Sequence, residues 1–350
     1  MKDYYAIGLM SGTSLDGLDI CYVRFDLPEI QFEILKAETL LYDEECKSLL
    51  KNSIYMTGEE LTKLNADYGI YLGRSVNQFI RKNKIRKIDF IASHGHTVFH
   101  NPQKNYTLQI GKGEGIFAET GIRTVFDFRS QDVFLGGQGA PLVPIGDELL
   151  FGEFDSCLNL GGFSNISFKQ NGARVAFDIS PFNIVLNFLA EKLGKDYDEN
   201  GDFARSGKLI HELSGQLNCL EFYKSAPPKS LGVEFCNKSI FPLIENSPEK
   251  TEDLLATFTE HFAVQVSAIL DQNQLKNVLI SGGGAYNQFF IERLKSKTSC
   301  RIIIPEKIII EYKEALIFAL MGMLKLENKA NVLSSVTGAK KNHSSGLIIS

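Results

Sequence analysis

The 350-residue chain lacks an excess of positive charge, an apolar run of membrane length, any paired-cysteine motif and the commonest nucleotide-loop fingerprints. Each absence closes off a class of function. Lys and Arg number 37 against 42 Asp and Glu, a formal net charge of −5, so neither nucleic acid nor an anionic membrane is expected as a partner. The longest apolar stretches, such as residues 315–324, fall well short of the ~20 residues that span a bilayer. A Gly/Ser turn interrupts the N-terminal segment before a signal-like run develops, and a cytoplasmic protein is expected. The six cysteines, Cys21, Cys46, Cys157, Cys219, Cys236 and Cys300, include no CxxC pair, which argues against a zinc site and a disulfide framework. No Gly-Lys-Ser/Thr follows the first glycine turn, so it is not a Walker A loop, and Gly282-Gly283-Gly284-Ala285 offers no GxGxxG. No HExxH accompanies His94, His96 and His100, which read as polar groups lining a cleft rather than as metal ligands.

What is present is an ordinary globular composition, 44% hydrophobic and 23% charged. At ~150 residues per domain the length suggests roughly two domains. Residues 4–10, 18–25 and 31–42 read as three strands of an antiparallel meander. Thr57 and Glu60 have capping-box spacing before a helix whose Leu61, Leu64, Tyr68, Leu72, Val76 and Phe79 recur every three or four residues. A buried strand at 88–93 then ends at His94-Gly95-His96. The second half repeats the theme: an apolar strand at 156–160, the turn Gly161-Gly162-Phe163-Ser164-Asn165, and a return at 166–168. A helical stripe of Leu254, Phe258, Phe262, Val266 and Ile269 leads into a strand at 277–280 and Gly282-Gly283-Gly284. The sequence thus predicts an α/β protein of two similar domains with a ligand in the crevice between them. Residues 132–144, rich in Gly and Pro, are placed as the linker, giving domains 1–145 and 146–350 with the last segment free to pack back on the first.

Three glycine clusters follow strands, and together they fit a nucleotide held by two phosphate hairpins and one turn near the base. In Gly12-Thr13-Ser14-Leu15-Asp16-Gly17, backbone N–H groups and hydroxyls suit phosphate, and Asp16 is a candidate for a Mg²⁺-bound water. Asp127, Asp132 and Asp178 each stand just past a strand-like run, where a carboxylate can serve as a general base. As a lone residue, each is equally a cap or turn.

These residues also carry a resemblance. Ile7-Gly-Leu-Met-Ser-Gly-Thr-Ser-Leu-Asp-Gly-Leu-Asp19, Ser93-His-Gly-His-Thr97, Leu108-Gln-Ile-Gly111, Asp127-Phe-Arg129, Gly136-Gly-Gln-Gly-Ala-Pro-Leu-Val-Pro144, Asn159-Leu-Gly-Gly162, Gly282-Gly-Gly-Ala-Tyr-Asn287 and Ser335-Val-Thr-Gly-Ala339 are similar, in order, to the signatures of the anhydro-N-acetylmuramic acid kinase family. The resemblance implies the sugar kinase/Hsp70/actin-like fold: two similar actin-like (RNase H-like) domains flanking a nucleotide cleft. It implies hydrolysis of the anhydro bridge of 1,6-anhydro-N-acetylmuramic acid and phosphorylation of O6 by ATP with Mg²⁺, in cell-wall sugar recycling, and a homodimer. By matching motif, Gly12, Thr13, Ser14, Leu15, Asp16, Gly17, Leu18 and Asp19 would hold ATP phosphates and Mg²⁺. Gly161 and Gly162 would form the second phosphate hairpin, and Gly282, Gly283, Gly284 and Asn287 the adenosine loop. Asp178 would be the base that activates water, and His94, Arg129, Gln138 and Gly139 would face the sugar, with Arg129 paired to the lactyl carboxylate.

The chain departs from the family in one segment. Asp178-Ile-Ser-Pro-Phe-Asn183 stands where the family has Asp-Thr-Gly-Pro-Gly-Asn, and His96 where Gln is common. Loss of both glycines makes any positive φ costly there, and Phe182 is expected to add bulk near the cleft. Two alternatives follow: a kinase of a different sugar, or an ATP-binding regulator without turnover.

Overall fold

The computed structural model describes residues 2–12 and 15–350. Their contacts divide the chain into two units, Met1–Phe151 with Tyr312–Ser350, and Gly152–Glu311. The division falls after residue 151 rather than 145, and residues 132–144 lie inside the first unit rather than linking two. The cause is packing: the ring of Phe151 meets Phe32 with centroids 5.7 Å apart, and Asp147 forms a buried ion pair with Lys313 at 2.6 Å.

In the first unit, β1 (Lys2–Ser11), β2 (Gly17–Leu27) and β3 (Gln31–Leu41) form the expected antiparallel meander. Next to β1 runs the parallel strand β4 (Phe90–Ser93). A separate hairpin of β5 (His96–Asn101) and β6 (Tyr106–Ile110) follows, and β7 (Thr124–Phe126) pairs with β4 in parallel. The terminal strand Leu347–Ile349 closes that edge, so the C-terminal segment does return to the first unit's sheet. β1 is central and covered on both faces. Ile7 and Leu9 share a core with Leu61, Tyr68, Leu72, Val76 and Phe79 of the helix Gly58–Asn83. On the opposite face Gly8 abuts the helix Lys307–Leu326 so closely that a Cβ there would fall 1.9 Å from the Ala315 carbonyl oxygen. The capping box expected at Thr57 is present: Thr57 Oγ1 accepts from the Glu60 amide, and the Thr57 amide donates to Glu60 Oε2 at 2.8 Å.

The second unit repeats the order. β8 (Ser156–Leu160), β9 (Phe163–Gln170) and β10 (Ala173–Pro181) form a meander, β11 (Asn277–Ser281) lies parallel beside β8, and β12 (Arg301–Ile303) beside β11. Both sheets therefore contain three antiparallel strands followed by two parallel ones, in the spatial order third, second, first, fourth, fifth. This is an α/β fold of two similar actin-like units, as the duplicated halves of the sequence predict. The helices Asn183–Lys192, Thr251–Gln272 and Gln288–Lys295 supply the second unit's core, with Phe182, Phe258, Phe262 and Phe290 fully buried.

The topology gathers chemistry onto one edge of each sheet. A parallel first and fourth strand end together: Leu9 faces Ser93, and Ser281 faces Asn159. The turn between the first two strands and the loop after the fourth thus emerge side by side, at the carboxyl ends where open α/β sheets bind ligands.

Candidate active site

In the first unit this edge presents the β1–β2 turn, His94 and Arg129. Of the turn, Thr13 and Ser14 lie outside the described residues. Gly12 accepts a long hydrogen bond from the Leu15 amide (3.4 Å), Leu15 has a left-handed φ of 61°, and Asp16 is exposed. Gly17 and Leu18 already belong to the β2 ladder, opposite Leu41 and Leu40, and the Leu18 side chain is wholly buried in the core. The Leu18 side chain therefore belongs to the core, which leaves only its backbone for a ligand. Asp19 is half-buried and accepts from Thr39 Oγ1 at 2.6 Å.

His94 follows β4 directly. Its Nδ1–H donates to the Gly95 carbonyl at 2.9 Å, which leaves Nε2 to accept from Arg129 Nε at 2.9 Å. Burial, reinforced by the Arg129 charge, pushes this imidazole well below its ordinary pKa, so it is neutral, as an acceptor must be. Arg129 also donates from Nη1 to the Gly139 carbonyl at 2.6 Å, while Nη2 makes no hydrogen bond among the described residues. Burial lowers its pKa to about 10, opposed by the charges of Glu314 and Asp132, and it stays cationic at neutral pH. Gly139 in turn donates its amide to Asp132 Oδ2 at 2.7 Å, and Thr337 Oγ1 donates to Asp132 Oδ1 at 2.7 Å. Gly139 thus acts by fixing Arg129, and the fully buried Asp132 anchors both. Gln138 is exposed and bonded through its amide to the Thr337 carbonyl, which leaves its side chain outward. Asp127 caps a turn, accepting from the Ser130 amide at 3.2 Å.

The sequence reading missed Glu314. It sits on the helix Lys307–Leu326 beside Arg129, where burial raises its pKa and the charges of Arg129 and Lys313 oppose that rise. The available signal was a carboxylate placed immediately before the longest apolar run of the chain. The histidines do not converge on a metal: His96 bonds through Nδ1 to Ser11 Oγ at 3.2 Å, and His100 to Thr107 Oγ1 at 3.0 Å. Among the described residues no group of three or more His, Cys, Asp or Glu is placed to hold a metal ion.

The second unit's edge collects Gly161, Gly162, Asp178 and Gly282–Gly284. Gly161 and Gly162 make the two-residue turn between β8 and β9, and their carbonyls accept from the amides of Asn183, Phe182 and Ile184. Asp178 lies near the end of β10, half-buried, with Oδ2 accepting from the Leu231 amide at 2.7 Å. Burial pushes this carboxyl above its ordinary pKa of 3.8, and the Leu231 hydrogen bond pulls it back. The Leu231 amide was invisible in the sequence because a backbone donor has no residue signature.

Beyond Asp178 the register slips: Asp178 faces Asn165, but Ser180 faces Ser164. This bulge breaks the alternation, so Asp178 and Phe182 are not on the same face as even spacing would place them. Phe182 does not add bulk to a cleft. Its ring is wholly buried, 4.7 Å from Phe290 and 5.6 Å from Phe262 between centroids. Ser180 is likewise buried, its hydroxyl 2.8 Å from that of Ser164. Neither Ser180 nor Phe182 has a positive φ, so neither adopts the left-handed backbone that favours glycine.

A cavity of about 460 Å³ opens beside Gly283 and Gly284. Asn183, Asn187, Tyr197, Asp198, Tyr286 and Asn287 contribute to its lining, which includes no Lys or Arg. An amide-rich pocket with tyrosines at its rim, whose only charged lining groups are the carboxylates of Asp198 and Glu199, suits a nucleoside better than its phosphates. Asn287 shapes the loop rather than offering its carbonyl, since Oδ1 caps the helix Gln288–Lys295 by accepting from Phe290. Gly282 is packed against Asn159 and Leu160 instead.

A family model described as anhydro-N-acetylmuramic acid kinase matches residues 4–350. The anhydro-N-acetylmuramic acid kinase of Aliivibrio fischeri is 36% identical over 370 residues, covering 98% of each chain. That of Francisella tularensis subsp. novicida is 32% identical over 370 residues, covering 97% of each. A solved structure of a ROK family glucokinase from Streptomyces griseus, in complex with glucose and AMPPNP, is similar with a TM-score of 0.43 and 10% identity, over 91% of this chain and 98% of that one.

Proposed function

The chain belongs to the anhydro-N-acetylmuramic acid kinase family, a family of phosphotransferases, and from that premise we propose that it both opens and phosphorylates 1,6-anhydro-N-acetylmuramic acid. Water adds to C1, the C1–O6 bond breaks, and O6 takes the γ-phosphoryl group of ATP, giving N-acetylmuramic acid 6-phosphate and ADP. Such a reaction returns a cell-wall amino sugar to metabolism. The observation that carries this reading is Asp178: a half-buried carboxylate at a sheet's carboxyl edge, with a raised pKa and no ion pair among the described residues. A base of that kind accepts the proton of the attacking water as the C1–O bond forms.

The other roles follow from the contacts. The neutral His94 and the buried carboxylate of Asp132 hold Arg129, directly and through Gly139, with Nη2 available to an anionic or hydroxyl group of the sugar. The cavity beside Gly283 and Gly284, which has no basic lining residue, takes adenosine, and the glycine turns offer amides to the phosphates. Mg²⁺ fits the first turn by donor chemistry, because Asp16 is an exposed carboxylate in the turn, Asp19 a second one three residues on in β2, and Mg²⁺ bound to ATP keeps several waters and needs few protein ligands. When bound, it would offset charge on the phosphates. Asp16 and Asp19 are the residues that would hold it, through water.

Burial of Phe182 removes the main ground for a different sugar as substrate. Incubation with ATP and Mg²⁺ is expected to release ADP with 1,6-anhydro-N-acetylmuramic acid and to release far less with N-acetylmuramic acid or glucose. ADP release favouring either of the latter would overturn the assignment. For Arg129→Lys, the sugar KM is expected to rise by about ten-fold or more while the ATP KM holds, because an ammonium cannot reach His94 and the Gly139 carbonyl and still face a ligand. Initial-rate kinetics in both substrates check this.

A further inference from the structure

We propose that Lys229 is a positioning residue for the Asp178 carboxylate, holding residues 226–231 so that the Leu231 amide stays on Asp178 Oδ2. The inference rests on the reading of Asp178 as the base.

β10 is the edge strand of its sheet, and residues 229–231 run along its open side. The Asp178 amide donates to the Lys229 carbonyl at 3.1 Å, and the Leu231 amide donates back to Asp178 Oδ2 at 2.7 Å. Both contacts require the segment to stay in place. Its own chemistry does little to keep it there: Pro227 and Pro228 have no N–H, and residues 226–228 and Ser230 are exposed. Among the described residues only one other hydrogen bond ties 226–231 to the rest of the unit, from Lys229 Nζ to the Phe222 carbonyl at 3.1 Å. The same ammonium lies 4.6 Å from the centre of the Phe222 ring. Phe222 is itself fixed by ring contacts with Tyr223 (5.6 Å) and Phe235 (5.4 Å). Lys229 is therefore a clamp whose far end holds the only hydrogen-bond donor to the Asp178 carboxylate among the described residues.

Among the described residues no charge competes for that role. Across the ladder Asp178 meets the neutral Asn165, and Ser180 beyond the bulge is bonded to Ser164. Arg174, further back on β10, is turned to Ser167 Oγ at 3.0 Å. Lys229 itself points its ammonium at Phe222. The Leu231 amide is thus the group that keeps a half-buried carboxylate ionised at lower pH, and releasing it leaves burial unopposed.

The test is the pH profile of kcat for Lys229→Met, which keeps the aliphatic stem on Phe222 but removes the donor. The acidic limb is expected to move to higher pH by roughly 0.5–1 unit. The ATP KM and the melting temperature should stay at the parent values, because the segment is mostly exposed and none of its residues lines the cavity. Lys229→Arg should restore the parent profile, since a guanidinium can donate to the same carbonyl and stack on the same ring. A Lys229→Met limb that coincides with the parent's, or a Lys229→Arg limb displaced as far as that of Lys229→Met, overturns the proposal. Asp178→Asn separates the two readings. If it keeps parent activity, the base assignment falls and the positioning role with it. If it is inactive while the Lys229→Met limb stays put, only the positioning role falls.

Discussion

Asp178→Asn is expected to lower kcat by about 10²–10⁴-fold, the usual contribution of a positioned general base, with the ATP dissociation constant unchanged. The substitution is suited to the question because it preserves shape. An asparagine oxygen can still accept from the Leu231 amide, so the 2.7 Å contact and the strand register have no reason to change. What is lost is the ability to take a proton. Turnover measured by ADP release, together with ATP titration by calorimetry, separates the two effects. Activity above a few per cent would place the base elsewhere. Neither carboxylate first suggested beside Asp178 is well placed to inherit the role: Asp132 is fully buried and held by Gly139 and Thr337, and Asp127 caps a turn. The pH profile has a definite sign. Burial raises the Asp178 carboxyl above its ordinary 3.8, so kcat is expected to fall as pH drops through that raised value, when the base becomes protonated. His94 should contribute no limb near neutrality, since burial and Arg129 keep it uncharged.

Phe182→Ala is expected to cost about 3–5 kcal/mol of stability, the usual range for deleting a buried phenyl ring. The melting temperature should fall by roughly 10 °C, by the entropy scaling of domains this size. The preference for the anhydro sugar over N-acetylmuramic acid should not move, because the ring packs on Phe262 and Phe290 and faces no ligand. A changed sugar preference with an unchanged melting temperature would show instead that Phe182 lines the substrate site. The same ring explains Gly284. A Cβ at that position would lie 2.4 Å from Phe182 Cε1 and 2.7 Å from Leu160 Cβ, and neither atom is at the end of a flexible chain. Gly284→Ala should therefore destabilise on its own. In the Phe182→Ala background it should cost less, because half of the clash has gone; thermal unfolding of the four proteins in a double-mutant cycle measures that coupling.

The strands, the capping box at Thr57 and the repeated halves were legible in the sequence because apolar periodicity and cap chemistry are local. The edge-sharing of glycine turns and post-strand loops was legible only once the repeat was seen. What the sequence hid is non-local. That the segment returning to the first unit begins near residue 312 depends on contacts such as Gly8 against Ala315 and Lys313 with Asp147. Glu314 becomes a partner of Arg129 only when its helix is laid on the sheet. The bulge after Asp178 sends Phe182 into the core, and an even spacing of 178, 180 and 182 suggests the opposite. Leu18 belongs to the glycine-turn motif by sequence, and its side chain, one residue inside the ladder, lies in the core.

The central claim is that one catalytic cycle joins water addition at C1 to phosphoryl transfer at O6. It is tested most directly by reacting the protein with ATP, Mg²⁺ and 1,6-anhydro-N-acetylmuramic acid in ¹⁸O-labelled water, with mass spectrometry before the reducing end exchanges. The account predicts N-acetylmuramic acid 6-phosphate bearing one ¹⁸O at the anomeric carbon and none in the phosphoryl group. A phosphorylated sugar with its anhydro bridge intact, or label in the phosphate alone, would contradict it.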